Sequence, residues 1–177
     1  MIYLVTHGKD AREKEITNPK LAREGLNMAT CSMMIGTISL IVSTGTKLVM
    51  KGTGSRITET FLAMTPALRN IPVKSCPFLG LEDWFDDKKQ VFVTASGEEI
   101  PKNDYLGVAD CPGVSLWKLI ASFPNATVAF VNRQAMIALG ATKTKSCSIY
   151  VADPKTKRIR CVVKNGVPCS DELAKIK

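Results

Sequence analysis

Short apolar runs recur along this chain, and between them apolar positions fall at helical spacing. Ile2-Tyr3-Leu4-Val5 is an unbroken apolar run, as expected of a strand buried on both faces. Thr6-His7-Gly8 closes it. Residues 9–20 are polar and contain Asn18-Pro19, a turn signal. Leu21, Leu26, Ala29 and Met33 lie near helical spacing and predict a helix over 21–34. Gly25 weakens that helix, since glycine costs about 1 kcal/mol relative to alanine. Residues 39–43 and 47–50 read as strands. Lys51-Gly52-Thr53-Gly54-Ser55 is a glycine loop, and Ile57, Phe61, Met64 and Leu68 share one face of a helix over 56–68.

The pattern continues with a strand in 73–79. Residues 81–102 are acidic and then mixed, carrying Glu82, Asp83, Asp86 and Asp87, and read as an excursion over the sheet edge. A helix over 114–123 precedes the clearest internal strand, 126–131, and a further helix begins at 134. Residues 148–152 and 159–163 read as a closing antiparallel pair joined by Asp153-Pro154-Lys155. No internal repeat or low-complexity block is visible. Strands alternating with helices predict one layered α/β domain over residues 1–177, with a largely parallel sheet.

Composition agrees with a globular domain: 45% of the 177 residues are hydrophobic and 23% charged. A chain near this length buries about two-thirds of its unfolded surface without staples. The net charge of +8 adds something new, because a basic surface favours anionic partners. Phosphorylated metabolites, nucleic acid and acidic lipid all qualify. Part of the charge, in Lys155, Lys157, Arg158, Arg160, Lys164, Lys175 and Lys177, reads as a solvated edge and tail. Aromatics are only 6% and do not interleave with the basic run, so no stacking platform for nucleic acid is visible. Six scattered cysteines without C-x-x-C spacing, beside a single histidine, predict reduced thiols rather than a zinc site. The absence of a basic leader adds to the expectation of a cytoplasmic protein. The apolar stretch 33–42 is too short to span a bilayer and is broken by Gly36, so no membrane partner is expected.

Ligands of open α/β sheets bind beyond the carboxyl ends of the strands, and His7 stands at such an end. An imidazole accepts a phosphoryl group when one nitrogen is available and a hydrogen bond on the other fixes the tautomer. The glycine loop at 51–55 fits neither a Walker loop nor a dinucleotide fingerprint. It reads as the turn that delivers Arg56, with backbone N–H groups that can face an anion.

Longer segments then line up. Leu4-Val5-Thr6-His7-Gly8 is similar to a strand ending in Arg-His-Gly. Residues 21–29, from Leu21-Ala22-Arg23-Glu24-Gly25 to Met28-Ala29, are similar to a first-helix pattern of Leu-Thr, Gly and Gln-Ala. Arg56 to Thr60 matches Arg-x-x-x-Thr opening a helix. The segment 128–137, through Asn132-Arg133-Gln134, is similar to a late strand-to-helix segment that carries a second histidine, and 148–151 to a penultimate strand. On these segments, taken in order, the sequence resembles the histidine phosphatase (phosphoglycerate mutase-like) superfamily.

That resemblance implies a three-layer α/β domain, its mostly parallel central sheet covered by helices on both faces. It implies phosphate-ester hydrolysis or phosphoryl transfer through a phosphohistidine, on a phosphorylated small molecule or phosphoprotein, with no metal and no cofactor. His7 becomes the nucleophile, Gly8 its close-packed neighbour and Arg56 a phosphate clamp. Glu82 lies near the expected acid, which needs a raised pKa from burial or from Asp83; the alternative is a solvated acidic loop. Two positions depart from the pattern. Thr6 stands where the family has its first arginine, and Arg133 where it has its second histidine. Positive charge is roughly kept, yet losing one electrostatic donor at a transition state commonly costs about 10²–10³-fold in rate. A catalytically impaired relative that binds phosphorylated ligands or a protein partner is therefore a second reading, and a basic nucleic-acid-binding module a third.

Overall fold

The computed structural model describes residues 1–11, 20–76, 79–80, 84–86, 88–93, 99–101 and 116–169. All five residues of β1 (Ile2–Thr6) are buried, as an unbroken apolar run requires. It pairs in parallel with β7 (Val128–Val131) and antiparallel with β8 (Ile149–Asp153). Beyond β7 lie β2 (Val49–Lys51) and β3 (Val73–Ser75), both in parallel register. Beyond β8 lie β9 (Arg158–Lys164) and β10 (Val167–Pro168), both antiparallel. The seven-stranded order is β10-β9-β8-β1-β7-β2-β3. The expected parallel core is thus the β3-β2-β7-β1 half, and the expected antiparallel pair closes the other half. Part of the acidic excursion forms a second, antiparallel sheet of β4 (Trp84–Asp86), β5 (Val91–Val93) and β6 (Glu99–Pro101).

Side chains of β1 alternate between two cores. Tyr3 and Val5 pack with residues of α1 (Arg23–Thr30), α2 (Ser32–Ser43) and α3 (Ser55–Met64), among them Ala29, Met34, Ile38, Ile57 and Met64. Ile2 and Leu4 pack with Leu116 and Ile120 of α4 (Leu116–Ala121) and with Ala135 and Met136 of α5 (Arg133–Ala138). Helices therefore cover both faces, and each fully buried aliphatic side chain contributes about 1.5–3 kcal/mol. Phe61 of α3 meets Phe130 of β7 edge-on, ring centroids 5.5 Å apart, which fixes α3 over the sheet.

Three expectations are corrected here. The helix predicted over 21–34 is two helices, broken at Cys31, whose backbone is extended at φ −64° and ψ 147°. The strand predicted at 39–43 is the second half of α2. Ser39 to Ser43 carries β-branched and apolar residues in sequence, which locally suits a strand. Met34, Thr37, Ile38 and Ile41 are buried together, however, and that spacing fits only a helix lying on the sheet. The helix predicted over 56–68 ends at Met64 and continues as a 3₁₀ turn, Thr65–Ala67, because Pro66 cannot supply the next helical N–H. Among the described residues no single helix is long and apolar enough to cross a membrane. Only α1 and α2 joined would reach that length, and they bend by 47° at their break.

Cys147 is fully buried at the start of the β8 segment, and desolvation pushes its thiol up to about 12. A thiol that stays protonated in the fold but ionises near 9 when unfolded stabilises the protein fully below about pH 9. That contribution is lost as pH rises toward the folded value. Urea unfolding is expected to show about 2 kcal/mol lost between neutral pH and about pH 10.5 through this thiol. Cys147→Ala should flatten that limb; an unchanged alkaline slope would contradict the assignment.

Candidate active site

The parallel strands β1 and β7 are neighbours, and their carboxyl ends deliver His7 and Asn132-Arg133 to the same edge of the sheet. The next strand, β2, runs into the glycine loop and then Arg56. His7, Arg56 and Arg133 line one cavity of about 370 Å³ together with Asp10, Gln134, Ile137 and Ser146. A second lobe of about 240 Å³ is lined by Thr6, His7, Arg133, Thr144, Lys145 and Ser146. The two share His7, Arg133 and Ser146, so they adjoin across the imidazole. Three residues separated by most of the chain are brought together at the position expected for an open α/β sheet.

The ring of His7 is oriented by its own loop. Its Nδ1 lies 2.7 Å from the Gly8 carbonyl oxygen. A carbonyl can only accept, so Nδ1 carries the proton and donates, and the lone pair of the neutral ring resides on Nε2. The His7 carbonyl accepts from Cys147 N–H at 2.8 Å. The N–H of Gly8 donates to Thr60 Oγ1 at 3.0 Å, and that hydroxyl donates to the Arg56 carbonyl at 2.7 Å. Arg56 and Thr60, one helical turn apart on α3, thus serve the pocket and its histidine loop respectively.

Gly8 and Gly25 explain each other. A Cβ on Gly8 would lie 2.7 Å from the Gly25 carbonyl oxygen, and one on Gly25 would lie 2.1 Å from that of Lys9. Only glycine permits this approach of the His7 loop to α1. The weakness that Gly25 brings to the helix therefore accompanies a packing role. Glu59 adds a further tie, accepting from Leu21 N–H at 2.6 Å.

Arg56 is buried, 4% exposed, and ion-paired with Asp10. That carboxylate escapes sequence reading, since nothing sets Asp10 apart in a stretch that also carries Lys9, Arg12, Glu13, Lys14 and Glu15. Arg133 sits on the first turn of α5, behind Asn132, whose side-chain oxygen caps the helix by accepting from Ala135 N–H at 2.8 Å. Arg133 is exposed to solvent.

One expectation changes at this site. The glycine loop does not offer the N–H groups of its first turn to an anion. Gly52 N–H donates to the Phe130 carbonyl, and those of Thr53 and Gly54 to the Gly80 carbonyl. The loop needs glycine because a Cβ at Gly52 would lie 2.6 Å from that Gly80 oxygen. Thr6 likewise does not donate into the pocket. Its hydroxyl lies 2.7 Å from the Lys145 carbonyl, to which it donates, and accepts from Ser148 N–H at 3.0 Å. Lys145 does not stand out in the sequence. Pairing β8 antiparallel beside β1 would have found it, because the loop before β8 must then lie at the His7 end of the sheet. Glu82 lies outside the described residues.

No family model matches the sequence, and no curated protein matches it. Solved structures do. TTHB049 from Thermus thermophilus superposes with a TM-score of 0.55 at 14% identity, covering 92% of this chain and 98% of that one. A mycobacterial glucosyl-3-phosphoglycerate phosphatase in complex with inorganic phosphate gives 0.53 at 15% identity, covering 93% and 96%. A protein from Agrobacterium tumefaciens assigned as the phosphohistidine phosphatase SixA gives 0.51 at 14%, covering 91% and 94%. The fold is that of the histidine phosphatases. At these identities the likeness is one of chain path, extending over nearly the whole of each chain. The expected phosphoglycerate mutase-like fold is thus the observed one, its mixed sheet parallel in the β3-β2-β7-β1 half and antiparallel in the other.

Proposed function

We propose that this chain is a divergent histidine phosphatase superfamily member that hydrolyses phosphate monoesters, or transfers their phosphoryl group, through a phosphohistidine at His7. The observation that supports this most is His7 with its Nδ1–H held by the Gly8 carbonyl, in one cavity with Arg56 and Arg133. In this reading the Nε2 lone pair attacks phosphorus in line, the ester P–O bond breaks, and phospho-His7 forms. Water then attacks phosphorus and gives a proton back to the acid that served the leaving group, the P–N bond breaks, and inorganic phosphate leaves the neutral ring restored. The two guanidiniums hold the non-bridging oxygens, for which their planar donor sets are suited. Asp10 keeps the Arg56 guanidinium in place. The leaving oxygen takes its proton from an acid, for which Glu82 is the candidate.

The expected substrates are phosphorylated small molecules or phosphoproteins, and the residues 1–177 act as one cytoplasmic domain. The likeness to a glucosyl-3-phosphoglycerate phosphatase and to a protein assigned as a phosphohistidine phosphatase supports that class of substrate. One observation favours the second reading, phosphate binding without turnover: the engaged hydroxyl of Thr6 leaves the pocket without a donor where the family has an arginine. Hydrolysis of p-nitrophenyl phosphate separates the two. Wild type is expected to turn over, and the exposed Arg133→Ala to do so about 10²-fold more slowly. Absence of turnover with phosphate still bound selects the second reading. Unchanged turnover in Arg133→Ala takes Arg133 out of the site.

A further inference from the structure

The lobe beside His7 that Arg56 does not line has a cation of its own. Lys145 shares it with His7, Arg133 and the hydroxyl residues Thr6, Thr144 and Ser146, and none of the described lining residues is a carboxylate. The backbone of Lys145 is tied at both polar atoms. Its carbonyl accepts from Thr6 Oγ1 at 2.7 Å, and its N–H donates to the Tyr150 hydroxyl at 3.1 Å. The residues after it are tied as well. Cys147 N–H donates to the His7 carbonyl at 2.8 Å, and Ser148 N–H to Thr6 Oγ1 at 3.0 Å. Ser148 Oγ donates to the Ser146 carbonyl at 3.1 Å. The 144–148 segment is therefore seamed to the two residues that open the pocket, and a mobile stem leaves from a fixed base.

The charge pattern points the same way. Lys9, Arg56 and Lys89 each pair with a carboxylate: Glu24, Asp10 and Glu99. The side chain of Lys145 has no ion-pair partner among the described residues, although it stands at the rim of the cavity that holds His7. In the first lobe Asp10 offsets Arg56, so among the described residues a doubly negative phosphoryl group at His7 meets most of its uncompensated positive charge from Arg133 and the second lobe. A cation with no ion-pair partner among the described residues gains when an anion enters, and on an ordered backbone only its stem remains to be ordered.

We infer that Lys145 is a phosphoryl-binding residue of this site, gripping the phosphoryl oxygen in the lobe not lined by Arg56, and that Thr6 is the positioning residue that holds its loop. This rests on the phosphohistidine reading above. The threonine then has a definite part: its hydroxyl holds in place the loop that carries a lysine from another segment.

Titration of the full chain with inorganic phosphate tests this, read by calorimetry on wild type, Lys145→Ala, Lys145→Arg, Thr6→Val and the Thr6→Val/Lys145→Ala double variant. Lys145→Ala is expected to weaken phosphate by about 10- to 100-fold, and Lys145→Arg to restore most of it. Thr6→Val should weaken binding in the wild-type background and add little in the Lys145→Ala background. That non-additivity is a signature that general loosening would not give. Lys145 is exposed, so its variants should keep the wild-type unfolding midpoint. If wild type binds phosphate, Arg133→Ala weakens it and Lys145→Ala does not, the role of Lys145 is overturned and the phosphohistidine reading stands. Additive effects of Thr6→Val and Lys145→Ala overturn the positioning role of Thr6. If folded wild type binds no phosphate, both readings fall together.

Discussion

Replacing His7 by glutamine is expected to lower phosphomonoester hydrolysis by about 10⁴-fold or more while leaving phosphate binding largely in place. The turnover loss follows from the lone pair on Nε2, which an amide nitrogen cannot replace as a nucleophile. The binding is retained because the charges around the imidazole come from other elements: Arg56 on α3, Arg133 on α5 and Lys145 before β8. The fold is expected to survive because the ties of this segment are made by backbone atoms. The His7 carbonyl accepts from Cys147, and the Gly8 N–H donates to Thr60. A matched pair of assays, turnover of p-nitrophenyl phosphate and calorimetric phosphate affinity, separates the two effects. Equal losses in both would reduce His7 to a binding residue. Retained turnover would remove it from the chemistry altogether.

Gly25→Ala is expected to destabilise the protein by about 2–4 kcal/mol, against the sign that helix propensity predicts. Within α1 alanine is normally better than glycine by about 1 kcal/mol. Here its methyl group would lie 2.1 Å from the Lys9 carbonyl oxygen and 2.6 Å from the Lys9 nitrogen. Both obstacles are backbone, so no rotamer change relieves them. Either α1 or the His7 loop must withdraw, and the Gly8 N–H to Thr60 bond is strained by the second choice. Urea unfolding measures the stability, and hydrolysis assayed on the folded fraction should fall as well. A gain of about 1 kcal/mol would mean that the loop and the helix do not approach as described.

The His7 pocket and the Gly25 contact differ in how far a sequence exposes them. His7, Arg56 and Arg133 are legible because each stands at the end of a recognisable strand or the start of a recognisable helix, where an α/β sheet gathers ligands. The order of parallel strands then decides that they meet. Gly25 is legible only as a local cost; its reason lies in the backbone of Lys9, across the fold. The strand expected at 39–43 failed for a related reason. A run of apolar and β-branched residues has no internal clue to whether its partner is a neighbouring strand or the surface of a sheet. Asp10 and Lys145 are ordinary charged residues in polar segments, and only tertiary pairing distinguishes one as the counter-ion of Arg56 and the other as a cation at the rim. Thr6 reads in sequence as a poor substitute for an arginine, whereas its hydroxyl holds a loop from the far end of the chain.

A covalent intermediate is the most direct test of chemistry at His7. Wild-type protein mixed rapidly with a labelled phosphodonor, quenched in alkali and mapped by mass spectrometry should carry one phosphoryl group on the peptide containing His7. The label should survive base and be lost in acid, as a phosphoramidate requires. Hydrolysis that proceeds with no label on His7, or with a stable label on another residue, would contradict it.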